Sequence, residues 1–312
     1  MKAAQRIYFG KALVKLAERN DIVVLDADIG WSTRTIDFAK VAEERFIQAG
    51  IAEQNMIGTA AGLAAAGKTV FVSTFAVFAT GRCWDQIRQA VAHTKLNVKI
   101  VATHCGISVG GDGASHQALE DIALMRALPN MTVISPADAN EAYAATMAMA
   151  DHDGPCYMRM GRADFPIITE EGRVFEIGKA TVLREGSDVS LIGTGQMVVS
   201  CMEAADALAE AGISAEVINV PTIKPFDAET IIRSVKKTKC AVTAEEHSII
   251  GGLGSATAEC LAENRPAAIE RVGVKDSFGE SGDPGELMKK YGLTADDVKK
   301  AAEKVISRKG KR

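Results

Sequence analysis

The sequence predicts an α/β protein with two doubly wound domains, each built on a mostly parallel sheet. Two observations carry this prediction. Short apolar runs, most of them rich in β-branched residues, alternate with amphipathic segments along nearly the whole chain. This pattern is typical of parallel strands covered by helices on both faces. The alternation breaks once, around Pro166 and Gly172, and then restarts, which indicates two domains.

The first domain is predicted to span residues 1–165. Met1–Asn20 is expected to be helical, and so are Glu53–Ala66, Gly81–His93 and Asn140–Ala150, because their apolar residues recur at helical spacing. The predicted strands are Ile22–Asp26, Phe46–Ala49, Thr69–Thr74, Val98–Thr103, Thr132–Ser135 and Cys156–Arg159.

Residues 166–182 are predicted to form a linker, and residues 183–312 the second domain. Its predicted strands are Asp188–Ile192, Ala215–Asn219, Cys240–Thr243 and Ala268–Val272. Its predicted helices are Gln196–Ala211, Asp227–Val235, Gly252–Ala262 and Ala295–Ile306. The basic end, Ser307–Arg312, is expected to be a frayed terminus.

Composition narrows the possible functions. The chain has 312 residues and a formal net charge of -4, which argues against a general binder of nucleic acid or anionic membranes. No run approaches the roughly 20 apolar residues that cross a bilayer. The six cysteines form no CxxC pair and no secretory segment is recognisable, so we expect reduced, mostly buried thiols in a cytoplasmic protein.

Candidate functional residues follow the strands of the first domain, because ligands of open α/β sheets bind beyond the carboxyl ends of the strands. In chain order they are Asp28, Ser32, Glu53, Phe75, Phe78, His104, Asp112, His116, Arg159 and Arg162. Each alone has a structural explanation, as a helix-end acid, a core aromatic or a surface ion pair. The second domain offers only His247 and the glycines at 251–254, so the chemistry is expected in the first domain.

In combination, three strings resemble transketolases, and more narrowly the C-terminal half of one. They are Gly50-Ile51-Ala52-Glu53-Gln54-Asn55, Ser73-Thr74-Phe75 with Phe78, and Thr103-His104 followed by Gly111-Asp112-Gly113 and His116-Gln117. The resemblance covers essentially the whole chain, with a pyrimidine-binding domain first and the family's C-terminal domain second. Deoxyxylulose-phosphate synthases and the β chains of 2-oxoacid dehydrogenase E1 components share the scaffold more distantly.

The resemblance implies transfer of a two-carbon ketol unit from a ketose phosphate to an aldose phosphate, as in the pentose phosphate pathway, with thiamine diphosphate as cofactor. In the family, a domain that binds the diphosphate and its metal precedes these two domains, and the sequence shows no counterpart. The resemblance therefore implies a split transketolase. A companion chain would hold the diphosphate with Mg²⁺ or Ca²⁺, and the two kinds of chain would form a heterotetramer.

The resemblance also assigns roles to residues. Glu53 matches a glutamate that bonds N1′ of the pyrimidine, and Phe78, Phe75 and Asp28 match residues around the cofactor. His116 resembles a histidine that contacts substrate hydroxyls and assists proton transfer, so Glu53, His116 and His104 are the expected catalytic residues. The substrate-binding residues implied are His104 and Arg159 as a sugar-phosphate clamp, together with Asp112, His116, Arg6 and Ser32.

No metal site is predicted in this chain. Gly111-Asp112-Gly113, followed later by Asn140, resembles the metal-binding motif of thiamine enzymes. That motif usually follows a strand directly and ends in paired asparagines. Here it lies inside a long loop, and Asn140 reads as the start of a helix.

The substrate stays open at this point. Gly81 stands where many transketolases carry a tyrosine, and Trp84-Asp85-Gln86 is closer to the synthase and E1 relatives. The alternatives to ketol transfer are a subunit similar to deoxyxylulose-phosphate synthase or to a 2-oxoacid dehydrogenase E1 β chain, and a non-catalytic half-transketolase.

Overall fold

The computed structural model describes residues 1–309. Its strands are β1 (Lys2–Ala4), β2 (Ile22–Asp26), β3 (Phe46–Gln48), β4 (Thr69–Phe75), β5 (Val98–Thr103), β6 (Thr132–Ile134), β7 (Cys156–Arg159), β8 (Asp164–Pro166), β9 (Thr181–Arg184), β10 (Val189–Gly193), β11 (Ala215–Asn219), β12 (Thr222–Lys224), β13 (Cys240–Ser248) and β14 (Ala268–Val274).

The helices within the same residues are α1 (Gln5–Leu16), α2 (Gly30–Thr33), α3 (Ile36–Ala39), α4 (Glu53–Ala65), α5 (Trp84–Gln86), α6 (Asp121–Arg126), α7 (Ala139–Asp151), α8 (Met197–Glu210), α9 (Ala228–Thr238), α10 (Leu253–Asn264), α11 (Pro284–Lys290) and α12 (Ala295–Arg308). Short 3₁₀ turns occur at Glu43–Arg45 and Ile107–Asp112, and π turns at Phe78–Arg82 and Ile87–Ala92.

Two sheets organise the molecule. The first has the strand order β12-β6-β7-β5-β4-β2-β3, and the second has the order β14-β13-β10-β11-β9. Both are parallel except at one edge, where β12 and β9 run antiparallel to their neighbours. Strands β2, β5 and β10 are buried along their whole length and consist mostly of apolar residues. This architecture confirms the predicted α/β class.

The two sheets are not confined to separate halves of the chain. Strand β12 follows β11 of the second sheet, yet it pairs with β6 at the edge of the first sheet. The predicted helix Gly81–His93 is also less regular than expected, because π turns flank the single short turn of α5. Between β8 and β9, residues 167–180 contain no helix or strand.

The C-terminal helix α12 is more ordered than the predicted frayed end. Thr294 and Asp297 form a reciprocal capping box at its start. The helix runs to Arg308, whose guanidinium pairs with Glu270. The remainder of the predicted frayed end, residues 310–312, lies outside the described residues.

All six cysteines are free and buried, as predicted. Among residues 1–309, no helix combines the length and the apolar character that a membrane span requires. The carboxyl ends of β2, β3, β4 and β5 meet at one edge of the first sheet, where the chain continues into the segments that carry the predicted site residues.

Candidate active site

Glu53 begins α4 at the rim of an open cavity of about 490 Å³ lined by residues 51–55 and Arg82. Its side chain is 7% exposed, and its Oε1 accepts a hydrogen bond from Nη1 of Arg82 at 2.8 Å. Arg82 is half-exposed, and its guanidinium carbon lies 3.9 Å from the centre of the Phe78 ring. Arg82 thus joins the carboxylate to the aromatic surface, a link that the sequence did not suggest.

Four of the predicted residues form one continuous aromatic surface. The Phe75 ring stacks on His104, with centroids 3.8 Å apart, and lies 5.7 Å from the ring of Phe78. His116 meets Phe78 edge-on at 5.2 Å. Both phenylalanines are partly exposed rather than buried in the core. They present flat faces toward the cleft, an arrangement suited to stacking a planar ring.

His104 is held neutral by its surroundings. Its side chain is buried, its backbone is left-handed (φ 59°), and its Nδ1 is hydrogen-bonded to the Thr103 hydroxyl at 2.8 Å. Burial, reinforced by the positive charges of Arg6 and Arg162, lowers the pKa of His104 to about 3. A histidine in a left-handed conformation is strained, which is a frequent property of functional positions.

The positive charges beside His104 come from Arg6 on α1 and Arg162 after β7. Nη1 of Arg6 donates to the Ser32 carbonyl at 2.9 Å, while its buried Nε lacks a partner among the described residues. Burial, and then the charges of Arg162 and Arg34, lower the pKa of Arg6. Arg162 is exposed and donates to the Val109 carbonyl at 3.0 Å. Crowded guanidiniums of this kind are suited to binding an oxyanion.

Arg159 is not part of this group, and the predicted His104–Arg159 clamp needs correction. Only 3% of the Arg159 side chain is exposed, and it pairs with the fully buried Asp121 through Nε at 2.8 Å. Its remaining nitrogens donate to Asp121 and to the carbonyls of Ala118 and Glu246. All its hydrogen-bonding capacity is directed inward, so Arg162 is the arginine after β7 that reaches the cleft.

Asp28 and Asp112 lie at the exposed margin. Asp28 follows β2 with a left-handed backbone (φ 65°), and its N–H donates to Oε1 of Gln48 at 2.7 Å. Asp112 ends the 3₁₀ turn Ile107–Asp112. Within residues 1–309, neither carboxylate forms an ion pair, so both are available to a ligand or to another chain.

Two buried glutamates of the second sheet, Glu245 and Glu246, lie on β13, and Glu246 contacts residues of the first half of the chain. Burial raises the pKa values of Glu245 and Glu246, on β13, to about 7. Burial lowers the pKa of neighbouring His247 to about 4, and its Nδ1 donates to the Ser248 carbonyl at 2.7 Å. His247 is completely buried, so the residue that the sequence singled out in the second domain does not face the cleft.

A larger cavity, of about 730 Å³, lies elsewhere, between α1, α7 and residues 171–177. It contains none of the predicted site residues. Asn140, part of the rejected metal motif, lines it and donates to the Thr169 carbonyl. Across residues 1–309, no group of three or more His, Cys, Asp or Glu side chains is arranged to hold a metal ion.

The fold and this site define a class of α/β protein with two mostly parallel sheets and an aromatic cleft at the carboxyl ends of the strands of the first. The sequence model described as the transketolase pyrimidine-binding domain matches residues 1–167, and that of the transketolase C-terminal domain matches residues 178–298. The chain belongs to the transketolase family.

Similar proteins include chains of comparable length. A protein of Methanocaldococcus jannaschii named as a transketolase C-terminal section is 52% identical over 94% of this chain and 93% of its own length. A 6-deoxy-6-sulfo-D-fructose transketolase subunit of a Clostridium species is 47% identical over 95% and 92%. A solved structure described as an inactive β4 tetramer of a split-gene transketolase is 51% identical, with a TM-score of 0.93 over 98% and 99% of the two chains.

Proposed function

We propose that this chain is the C-terminal subunit of a split transketolase, which transfers a two-carbon ketol unit from a ketose phosphate to an aldose phosphate. The observation that carries the proposal is the unbroken series from Glu53 through Arg82, Phe78 and Phe75 to His104. One end of this series offers a carboxylate beside a stacking surface. The other end offers the guanidiniums of Arg6 and Arg162.

The first end fits the aminopyrimidine of thiamine diphosphate. When bound, this cofactor supplies the electron sink needed to break and form the carbon–carbon bond. Glu53 would share a proton with a ring nitrogen, and Phe78 and Phe75 would stack against the ring. Arg82 already contacts both Glu53 and Phe78, so it must share them with the ring or move aside. Asp28 would border the cofactor, whose diphosphate and Mg²⁺ or Ca²⁺ would be held by the companion chain.

The second end fits a sugar with a terminal oxyanion. Arg6 and Arg162 would bind that group, with Ser32 holding Arg6 in place through its carbonyl. His104, which is neutral, would donate or accept a hydrogen bond at a substrate oxygen. His116 would move a proton at a substrate hydroxyl, and Asp112 would accept a hydrogen bond from the acceptor sugar. The sulfosugar named for the Clostridium relative also carries a tetrahedral oxyanion, so this geometry allows phosphate or sulfonate.

A companion chain is part of the proposal. The cavity beside Glu53 is open, and Ile51 and Trp31 near the same edge are 79% and 70% exposed. Exposed apolar side chains around an open, incomplete site are typical of a surface that another subunit covers. The related solved structure, a tetramer of one chain type, is described as inactive. We therefore favour a cytoplasmic heterotetramer that contains two copies of each chain.

A two-carbon transfer assay tests the proposal. Xylulose 5-phosphate and ribose 5-phosphate are supplied with thiamine diphosphate and Mg²⁺ to this chain, to a diphosphate-binding companion chain, and to their mixture. Activity in the mixture alone supports a shared site. Activity of this chain alone would contradict the need for a companion, and inactivity of the mixture would contradict transfer between these two sugars.

A further inference from the structure

The loop of residues 104–117, which carries His104, Asp112 and His116, rests on the second half of the chain. Gly106, with φ +79°, lies directly against the carboxyl group of Glu246. A Cβ atom at position 106 would stand 2.3 Å from Cδ of Glu246, so only glycine allows this approach. Two residues later, the N–H of Ser108 donates to Oε1 of Glu246 at 2.5 Å.

Glu246 is itself fixed from both halves of the molecule. Nε2 of Gln196 donates to its Oε2 and, at 3.2 Å, to the hydroxyl of Ser108. The carbonyl of Glu246 accepts from both terminal nitrogens of Arg159, which is paired with Asp121. Glu246 is 4% exposed. A buried carboxylate with this many donors has one available position, so the loop segment bonded to it is also fixed.

The far end of the loop has separate supports from the same half. Nε2 of Gln117 donates to the Glu280 carbonyl at 2.9 Å and to the Ile107 carbonyl at 3.2 Å. The hydroxyl of Ser281 donates to the Gly111 carbonyl at 2.6 Å. The loop is therefore supported from Gly106 to Gln117 by residues that belong to the second sheet or follow it.

We propose that Glu246 is a positioning residue, through which the C-terminal domain sets the conformation of loop 104–117 and hence the placement of His104 and His116 toward the sugar. The inference rests on the proposed function for its kinetic consequence. It assigns the C-terminal domain a part in substrate binding, whereas Glu53 begins α4 and is held by Arg82, both in the first half of the chain.

The substitution Glu246→Gln tests this proposal. The new amide accepts from Ser108 through its oxygen but places an NH₂ group against the NH₂ group of Gln196. We expect KM for both sugars to rise about tenfold in the assembled complex, because the hydrogen bond from Gln196 is lost and two donors then face each other. The dissociation constant of thiamine diphosphate, measured by cofactor-induced circular dichroism, should stay within about twofold of the wild-type value.

A rescue and a control accompany it. The double variant Gln196→Glu/Glu246→Gln restores a carboxylate–amide hydrogen bond in which residue 246 donates and residue 196 accepts. It should reverse most of the rise in KM. Glu245→Gln alters a neighbouring buried carboxylate that bonds the N–H groups of Leu253 and Gly254 and does not contact the loop. We expect Glu245→Gln to leave KM unchanged, so a similar rise in KM there would overturn the positioning role.

Hydrogen exchange gives a readout that does not depend on activity. Amides of residues 104–117 should exchange at least about tenfold faster in the Glu246→Gln variant, with residues 53–66 unchanged. Ser281→Ala, at an exposed position, should give the same pattern at about twofold. Unchanged exchange in both variants would overturn the inference. Faster exchange in the Glu246→Gln variant, together with no ketol transfer by the wild-type complex, would support the inference while contradicting the proposed function.

Discussion

Arg159 and Arg162 follow the same strand, three residues apart, yet they differ in every contact. Arg159 is sealed against Asp121 with 3% of its side chain exposed, whereas Arg162 is exposed and close enough to His104 to lower its pKa. Both satisfy the rule that ligands bind beyond the carboxyl ends of parallel strands. The difference teaches that the rule finds the correct edge of the sheet but does not tell which side chains face outward.

The same contrast between accessible and buried positions separates two groups of side chains. The cleft cluster comprises Glu53, Phe78, Arg82, His104 and Arg162, and the sealed cluster comprises Asp121, Arg159, Glu245, Glu246 and His247. The guanidiniums of the cleft cluster, Arg82 and Arg162, are accessible to solvent, so they stay hydrated when a partner is lost and the cost in stability is small. In the sealed cluster, Asp121 and Arg159 form a buried ion pair, so losing either one leaves a buried charge without its partner. Cleft substitutions should therefore affect activity, and loss of Asp121 or Arg159 should lower the free energy of unfolding.

Glu53→Gln should give the largest effect on activity. We expect turnover of the assembled complex to fall by at least about 100-fold, because the amide cannot exchange a proton with the cofactor. The free energy of unfolding should change by about 1 kcal/mol or less, since the partner Arg82 is half-exposed. Glu44→Gln, at an exposed surface pair, is the control. Near-normal turnover would remove Glu53 from the cleft chemistry.

Arg159→Ala should give the largest effect on stability. Removing the guanidinium leaves the fully buried Asp121 without its partner. We therefore expect the free energy of unfolding, measured with denaturant, to fall by about 3–5 kcal/mol. The double variant Asp121→Ala/Arg159→Ala should lose less than the sum of the single variants. Unchanged stability together with a raised KM for phosphorylated sugars would reinstate Arg159 as a substrate contact.

Arg162→Ala should raise KM for a phosphorylated acceptor about tenfold, because one charge-assisted hydrogen bond to the oxyanion is lost. Stability should be unaffected, and an unphosphorylated aldose should show no change in KM. Arg184→Ala removes a partly exposed arginine that pairs with Asp206 beside the second sheet, and serves as the control. If both arginine variants behave alike, the oxyanion site is not at Arg162.

His104 should change the pH dependence of stability. Its pKa is about 3 in the folded chain and about 6.5 when unfolded, so the unfolded state binds more protons between these values. The stability that neutral His104 contributes above pH 6.5 is lost as the pH falls toward 3. The stability gap between wild type and His104→Asn should shrink by at most about 1.4 kcal/mol per pH unit in that window. Urea unfolding at pH 7 and pH 5, with exposed His93→Asn as control, checks this; a constant gap for His104→Asn would contradict it.

Much of the fold was predictable because its central strands are apolar and rich in β-branched residues. Ile22–Asp26, Val98–Thr103, Cys156–Arg159 and Ala215–Asn219 have the bounds that the sequence predicts. Strand β12 could not be found in this way. It has three residues, Thr222–Lys224, and exists because it pairs with β6, nearly ninety positions earlier.

The site was predictable where residue type and strand position coincide, as in Phe75, Phe78, His104 and His116, which the structure brings together. Arg82 was missed because its link to Glu53 depends on a π turn that moves it beside the start of α4. Arg162 was visible after β7, but only burial distinguishes it from Arg159. Asp121 could have indicated from the sequence that one of these arginines is buried. It is an acidic residue on an otherwise apolar helical face, and such a residue needs a buried partner.

Thr222–Lys224 also limits how this protein can be recombined. The strand belongs to the second half of the chain but completes the sheet of the first half, while loop 104–117 of the first half lies on residues of the second. Neither half is a module in the sense of a unit that keeps its own edges covered. A chimera that takes one half from a relative must therefore preserve both the pairing of β6 with β12 and the contacts that hold loop 104–117. Exchange between homologues should succeed for the whole chain more readily than for either half.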